Sequence, residues 1–406
     1  MKEKSKIRPR NIAKIAGGLL LFLVLIVAAF GVMLQKFPSV GAYGADYLRR
    51  IIGQEATAYL EMYVFRIQDT VKSTEYSLNI EKPASPWQEP DAMAVIAPTA
   101  TSAPFEPTEA VAKNTAIVPT VEPAWMPPEV APMGSLSGVG VWQPYITNAA
   151  GKVVAYRTFL QPDPKRPYTI TGIVAINIEE TRLHYMLGFD EPYVQGVQRT
   201  SQGVIPKNYF KPDVLLAVFN GGFKVEHGVY GSMLDGYETV PPRNEFGTLA
   251  IYKDGHFDIG EWGKDFTLTP DMAAYRQNGP LVIRDGEKNP KVEVPEYWGY
   301  TITGATVSWR TGAAVDKERK TLYFVIGPYL SIDMLAQVMQ ALHAWDAMQL
   351  EINNYWTIFE AFPVKDGKLT AEPLMPDLMN DNVERFFQPY ARDFFYVTDA
   401  AAEPVK

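Results

Sequence analysis

Apolar and polar positions divide the chain into unlike stretches. Ile15 to Leu34 runs for 20 residues without a charge and is mostly apolar. As a helix rising about 1.5 Å per residue it is roughly 30 Å long, the thickness of a bilayer core. Lys2, Lys4, Lys6, Arg8, Arg10 and Lys14 precede it, against Glu3 alone. That excess of positive charge places residues 1–14 in the cytoplasm and everything after Leu34 outside. A cleaved signal peptide is the competing reading. Its apolar region is usually shorter, about 7–15 residues, and a small-x-small cleavage site follows it. Here the run leads into Gly31-Val32-Met33-Leu34-Gln35-Lys36, which favours an uncleaved anchor at 15–34.

Residues 35–81 form the next stretch. From Ala45 to about Tyr76, apolar residues such as Leu48, Ile52, Leu60, Val64, Ile67 and Val71 recur near helical spacing with charges between them. The pattern predicts an extracytoplasmic helix, serving as a stalk or self-association element or packed on the domain that follows. Residues 82–133 read as a linker. Pro83 to Met133 holds 11 prolines in 51 residues. Proline fixes φ and removes a backbone donor, so an extended, disordered tether is expected.

Residues 134–406 have the length for one substantial core. Thr169–Ile178, Val214–Phe219, Thr248–Tyr252, Leu281–Ile283 and Ala347–Glu351 read as strands. Gly312–Val315 and Thr321–Ile326 read as a hairpin about a turn at Asp316–Lys320, and Asp254-Gly255 and Asp285-Gly286 suit tight turns. Leu335, Val338, Met339 and Leu342 share one helix face, with Ser331 or Asp333 to cap its start. The expected fold is α+β: a strand-rich mixed sheet or a partly closed barrel with few helices.

Charge and composition narrow the chemistry. Residues 1–133 hold 13 of the 38 basic and 13 of the 46 acidic residues, so the net charge of −8 falls wholly on 134–406. An acidic domain is a poor partner for nucleic acid. With no cysteine, there is no disulfide, thiolate metal site or cysteine nucleophile, and stability rests on core burial. Four scattered histidines give no ligand spacing, so a histidine-rich metal site is not expected; no cofactor is expected, and a metal held by Glu351 and other carboxylates is left open. Gly-x-Ser-x-Gly, P-loop and EF-hand patterns are absent.

Four segments offer chemistry. Phe219-Asn220-Gly221-Gly222-Phe223-Lys224 runs a strand into two glycines, where a ligand can approach the main chain, and Asn220 adds donors and acceptors. Lys224 and, further on, His227 extend that candidate site. Ser308-Trp309-Arg310-Thr311 sets a guanidinium between strands, suited to an anionic or sugar group. Glu351-Ile352-Asn353-Asn354-Tyr355-Trp356 follows a buried strand. Its carboxylate suits acid–base work, its amides (Asn353, Asn354) suit hydroxyls, and the Trp356 face suits a pyranose ring. Tyr275-Arg276-Gln277-Asn278 is a polar loop ahead of a strand, with Arg276 and Asn278 as candidate ligand contacts. Each segment has a plain reading as well: a glycine turn, a salt-bridged arginine, a loop with aromatic plugs, a solvent loop.

In order and spacing, three of these segments resemble the phosphodiester glycosidase family, over about residues 134–396. The family's Asn-Gly-Gly-Phe-Phe stands here as Asn220-Gly221-Gly222-Phe223-Lys224. Its Arg-Thr-Ala-Ile-Gly stands as Arg310-Thr311-Gly312-Ala313-Ala314. Its Leu-Ala-x-x-Met helix stands as Leu335-Ala336-Gln337-Val338-Met339. The Ala-Leu-Asn-Leu-Asp-Gly-Gly-Gly-Ser-Ser-Thr that follows the helix stands as Ala347-Met348-Gln349-Leu350-Glu351-Ile352-Asn353-Asn354-Tyr355-Trp356-Thr357. Glu351 thus replaces an aspartate, and Ile352, Asn353 and Asn354 replace three glycines. Bulky side chains refill space that glycines leave for a phosphate or sugar. The resemblance implies hydrolysis of a glycosidic bond in a cell-envelope glycan or glycosyl phosphodiester. Glu351 would serve as the acid/base, Asn220 and the Gly221-Gly222 backbone would hold substrate, and Arg310 would balance phosphate charge. A non-catalytic envelope-glycan-binding or structural module with a degenerate loop is the alternative. Oligomeric state is left open.

Overall fold

The computed structural model describes residues 38–87, 125–298, 307–376 and 385–402. The apolar run at 15–34 lies outside these residues. Among the described residues no helix is long and apolar enough to cross a membrane.

Strands dominate, with three α-helices among the described residues. One sheet has eight strands, in the order 143–147, 153–160, 171–177, 321–330, 308–315, 346–349, 281–284, 287–288. A second, of five, runs 237–240, 232–234, 272–277, 247–252, 257–261. A third, also of five, runs 372–373, 359–361, 215–220, 394–399, 181–186. All three sheets are open, and every pair of strands in them is antiparallel. The expected mixed sheet or partly closed barrel is therefore corrected to open antiparallel sheets. The turns explain the difference: Asp316–Lys320 and Asp285-Gly286 are short reversals, which join only antiparallel neighbours. Asp285 and Gly286 both have positive φ, 52° and 83°, as such a turn requires.

The first and third sheets share a core. Phe219, Phe324 and Phe359, all fully buried, bring their rings together with centroids 5.1–6.3 Å apart. Trp87 and Val130, from the two ends of the proline-rich stretch, are buried in the same core. Trp87 donates its indole N–H to the Leu374 carbonyl at 2.7 Å. The ends of that stretch are thus packed against the domain, while 88–124 lies outside the described residues.

Ser331 caps the helix Ile332–Ala341 by accepting from the Met334 N–H at 3.1 Å. Asp333 instead pairs with Lys288 at 2.8 Å. Leu335 and Met339 pack onto the eight-stranded sheet at Gly312, where a Cβ would stand 2.6 Å from the Met339 methyl and 2.9 Å from the Met348 carbonyl. A Gly312→Ala variant is expected to lose about 1–3 kcal/mol through overpacking. Urea unfolding checks this; a change under about 0.5 kcal/mol would show that the helix shifts freely.

The helix expected from Ala45 to Tyr76 is two helices, Pro38–Ile52 and Gln54–Ser77. Gly53 breaks them with φ of 85°. Both pack on the domain: Asp69 accepts both Arg166 Nε and Nη2, and Asp46 pairs with Lys224.

Candidate functional site

Antiparallel pairing sets Phe394 opposite Asn220. The segment just before Phe394 therefore lies beside the two glycines that follow Asn220. Asn220, Gly221, Gly222, Glu351, Trp356, Tyr390, Arg392 and Asp393 line one small cleft there, which is closed in this structure and leaves no room for a water molecule. Ligand pockets commonly hold about 300–1,000 Å³, so a ligand enters this one only if its lining moves.

Glycine is required at the floor of the cleft. A Cβ on Gly221 would stand 2.1 Å from the Asp393 Oδ2, and one on Gly222 2.9 Å from the Arg276 guanidinium carbon. The Gly221 N–H donates to the Asp393 carbonyl at 3.0 Å, and the Gly222 N–H to Asp393 Oδ2 at 3.2 Å.

Two buried ion pairs hold the cleft. Arg276 Nε donates to Asp393 Oδ2 at 2.7 Å, with both side chains 1% exposed. Arg392 Nη2 donates to Glu351 Oε2 at 2.6 Å and to the Gly222 carbonyl at 2.8 Å. Burial works against both guanidinium charges. Asp393 nevertheless holds Arg276 above its usual range, and Glu351, Asp393 and Glu191 do the same for Arg392. Tyr185, which reaches Asp393 at 3.3 Å, is pushed well up by burial and the Asp393 charge, and stays a neutral phenol.

The carboxylates differ in what they leave open. Glu351 Oε1 accepts the N–H groups of Ile352 and Asn353 at 2.9 and 3.1 Å, and Oε2 takes Arg392, so both oxygens are engaged. Asp393 Oδ1 is buried with no hydrogen-bond partner among the described residues, and so is Arg392 Nε. An acceptor and a donor are thereby left over beside the same cleft.

The other sequence-expected residues fall into groups. Asn220 lines the cleft but is saturated. It donates to Thr311 Oγ1 at 2.9 Å and to the Gly221 carbonyl at 3.0 Å, and accepts from the Ile358 N–H at 3.0 Å. Asn278, fully buried, accepts from the Phe223 N–H and donates to the carbonyls of Gln349 and Leu350, so it staples the glycine loop to the strand before Glu351. Asn353 caps its own turn by accepting from the Tyr355 N–H, and the Asn354 carbonyl accepts from Thr357. Lys224 pairs with Asp46 on the first helix. His227, on a short 3₁₀ turn, is held neutral by burial and by nearby Arg49, Arg392 and Lys224 charges. Neither Lys224 nor His227 lines the cleft.

Arg310 does not reach the cleft either. It is fully buried and donates to the Leu330 and Trp298 carbonyls at 2.9 and 3.2 Å and to Gln349 Oε1. Burial lowers it to about 9. Its neighbour Thr311 faces the site instead, with Oγ1 donating to the Glu351 carbonyl and accepting from the Glu351 N–H. Adjacent strand residues point to opposite faces, so Thr311 turned toward Asn220 and Glu351 leaves Arg310 turned away from them. The cation at the cleft is Arg392, one of the residues missed in the sequence together with Asp393, Tyr390 and Tyr185.

Trp356 narrows the cleft. Arg392 lies 5.2 Å from its ring centre, and Tyr355 and Tyr390 pack at 4.6 and 5.9 Å. Tyr43, from the first helix, adds an edge contact at 6.1 Å. Ile352 packs on Phe223, Tyr230 and Phe246. Of residues 352–356, Trp356 alone lines the cleft, and Ile352 packs elsewhere. Among the described residues no group of three His, Asp or Glu side chains is placed to hold a metal ion.

Beside the site lies one further buried acid. Glu360, in the strand next to Leu215–Asn220, is fully buried, with no hydrogen-bond partner for either oxygen among the described residues. Burial pushes it up to about 8, against the pull of Arg385. The folded state thus keeps a proton there that the unfolded chain releases near its ordinary value. Stability is full below about 4.5 and falls as pH rises toward 8, by up to about 1.4 kcal/mol per pH unit. A Glu360→Gln variant is expected to lack this slope in urea unfolding between pH 5 and pH 8 (roughly the window between the two values). The same slope in variant and wild type would refute the assignment.

Comparison with known proteins bears on this region. The phosphodiester glycosidase family model, NAGPA, matches residues 213–351, from the strand before Asn220 through Glu351. No curated protein sequence matches the chain. Among solved structures, the chain is similar to the zebrafish N-acetylglucosamine-1-phosphodiester alpha-N-acetylglucosaminidase catalytic domain, auto-inhibited by pro-peptide. Identity is 17%, coverage 67% of this chain and 87% of that one, and the TM-score 0.37. It is also similar to a hypothetical protein from Synechocystis, at 10% identity over 68% and 69% of the two chains, with a TM-score of 0.32. A putative exported protein from Burkholderia pseudomallei matches at 10% identity over 56% and 74%, with a TM-score of 0.26.

Proposed function

We propose that this chain, which carries a phosphodiester glycosidase domain at residues 213–351, hydrolyses a glycosidic bond in a glycosyl phosphodiester or cell-envelope glycan. The observation that carries the proposal is the convergence of Glu351, Asp393, Arg392 and the Gly221-Gly222 backbone on one cleft. Glycoside hydrolysis generally needs two carboxylates about a scissile bond. Asp393, with Oδ1 unpartnered, exchanges the proton with the bond's oxygen or the attacking water. Glu351 is the fixed second carboxylate. It faces the positive charge that develops at the anomeric carbon, and it holds Arg392 in place. Arg392 takes over the phosphate-balancing role first given to Arg310, using the Nε it leaves unpaired. Water adds to the anomeric carbon, the carbon–oxygen bond to phosphate breaks, and a phosphomonoester leaves with the bonding electrons. Trp356 must swing aside or stack on the sugar for substrate to enter.

The same reading holds the domain outside the cell membrane on an uncleaved anchor at residues 15–34, with the N-terminus cytoplasmic. Its support is the apolar run and the basic tail before it.

Purified full-length protein in detergent is expected to release free sugar from a synthetic N-acetylglucosaminyl methyl phosphodiester. A second reading, a non-catalytic glycan-binding or structural module, is favoured by the closing of the cleft by Trp356. Sugar binding without turnover on this substrate or on envelope fractions would decide for that second reading.

A further inference from the structure

The helices Pro38–Ile52 and Gln54–Ser77 have two unlike faces. One is committed to the protein. Ala42, Thr57, Ala58 and Met62 are buried, Arg49 pairs with Glu61 at 2.6 Å, and Asp69 pairs with Arg166 at 2.8 Å. The other has no partner among the described residues. Tyr47, Ile51, Tyr59, Tyr63, Ile67 and Val71 are 43–65% exposed. Spacings of four keep 47 and 51, and 59, 63, 67 and 71, on one side of each helix. Scattered exposed apolar residues need no explanation, but a stripe along two joined helices marks an interaction surface.

The charges divide in the same way. Asp46, Glu61 and Asp69 are tied into ion pairs, whereas Arg50 and Arg66 are exposed along with a single acid, Glu55.

We propose that this face lies on the surface of a lipid bilayer. The proposal rests on the anchor reading of residues 15–34. The apolar run ends at Leu34 and the first helix begins at Pro38. Four Cα steps reach at most about 14 Å, so the helix starts at or near the headgroups. The composition fits that depth. Tyrosines carry an apolar ring and a polar tip, which favours the membrane–water boundary. Ile51, Ile67 and Val71 supply the apolar face, and exposed arginines sit well beside anionic headgroups. A second copy of the chain is the other possible cover for such a stripe.

The absence of cysteine makes the test clean, because a single introduced thiol reports one position. Full-length chains carrying Ile51→Cys, Ile67→Cys or, as a reference, Asp254→Cys would be labelled with an environment-sensitive fluorophore. They would be reconstituted in phosphatidylcholine vesicles containing a minority of phosphatidylglycerol. Asp254 lies in an exposed turn of the domain. Spin-labelled lipid is expected to quench positions 51 and 67 several-fold more than position 254. Co-flotation with vesicles but equal, weak quenching at all three positions would overturn the proposal and leave the anchor standing. Weak quenching together with Ile51→Cys disulfide dimers would also overturn it, and would give the face to a second copy. Failure to co-float would overturn the anchor reading and this proposal with it.

Discussion

Replacing Glu351 with glutamine is expected to lower kcat for glycosyl phosphodiester hydrolysis by about 10²–10⁴-fold, with substrate still bound. The amide keeps the volume but removes the negative charge that faces the anomeric carbon. Its NH₂ group cannot accept the Arg392 hydrogen bond now made at 2.6 Å. Asp393→Asn is expected to lose as much for a different reason, because it removes the proton acceptor at the unpartnered Oδ1. A steady-state assay on both variants checks this, with circular dichroism as the control for folding. Activity within a few-fold of wild type in Glu351→Gln would remove Glu351 from the mechanism.

The second large effect concerns stability. Arg276 and Asp393 are each 1% exposed at the side chain, and Arg276 also donates to the Phe223 and Gln277 carbonyls. Arg276→Met leaves Asp393 buried without its counter-ion. Breaking such a pair on one side typically costs about 3–5 kcal/mol. In a domain of this size that lowers Tm by roughly 10 °C. The Arg276→Met/Asp393→Asn double variant should lose less than the two single losses added together, because it no longer strands a charge. Chemical denaturation of the three variants measures the coupling. Strictly additive losses would show that the two groups do not act as a pair.

Much of the fold was legible. The β-branched and aromatic runs at 169–178, 214–219, 248–252 and 321–326 coincide, to within a few residues, with the strands 171–177, 215–220, 247–252 and 321–330, and the Ser331 cap and apolar face anticipated the helix at 332–341. Sheet direction was not legible, since it is set by which strands meet rather than by any one strand. The single helix expected over 45–76 ignored Gly53, whose φ of 85° no helix interior accommodates.

The site was half legible. Asn220, Gly221, Gly222 and Glu351 stood out because a glycine pair and a carboxylate at strand ends are local signals. Arg310 stood out equally and points the other way, because strand alternation turns Thr311, its neighbour, toward Asn220 and Glu351. Arg392 and Asp393 were missed because they reach the cleft only through the pairing of Phe394–Asp399 with Leu215–Asn220, across a long separation in sequence. The available signal was an adjacent Arg-Asp pair directly before an aromatic strand, a costly place for charges without partners.

The central claim is that the reacting bond sits between Asp393 and Glu351. A crystal structure with a non-hydrolysable glycosyl phosphonate tests it most directly. The account predicts the phosphonate on Arg392, Trp356 displaced or stacked on the sugar, and the carbon replacing the bridging oxygen within about 3–4 Å of Asp393 Oδ1. Ligand bound elsewhere, with the Trp356 cleft still closed, would contradict it.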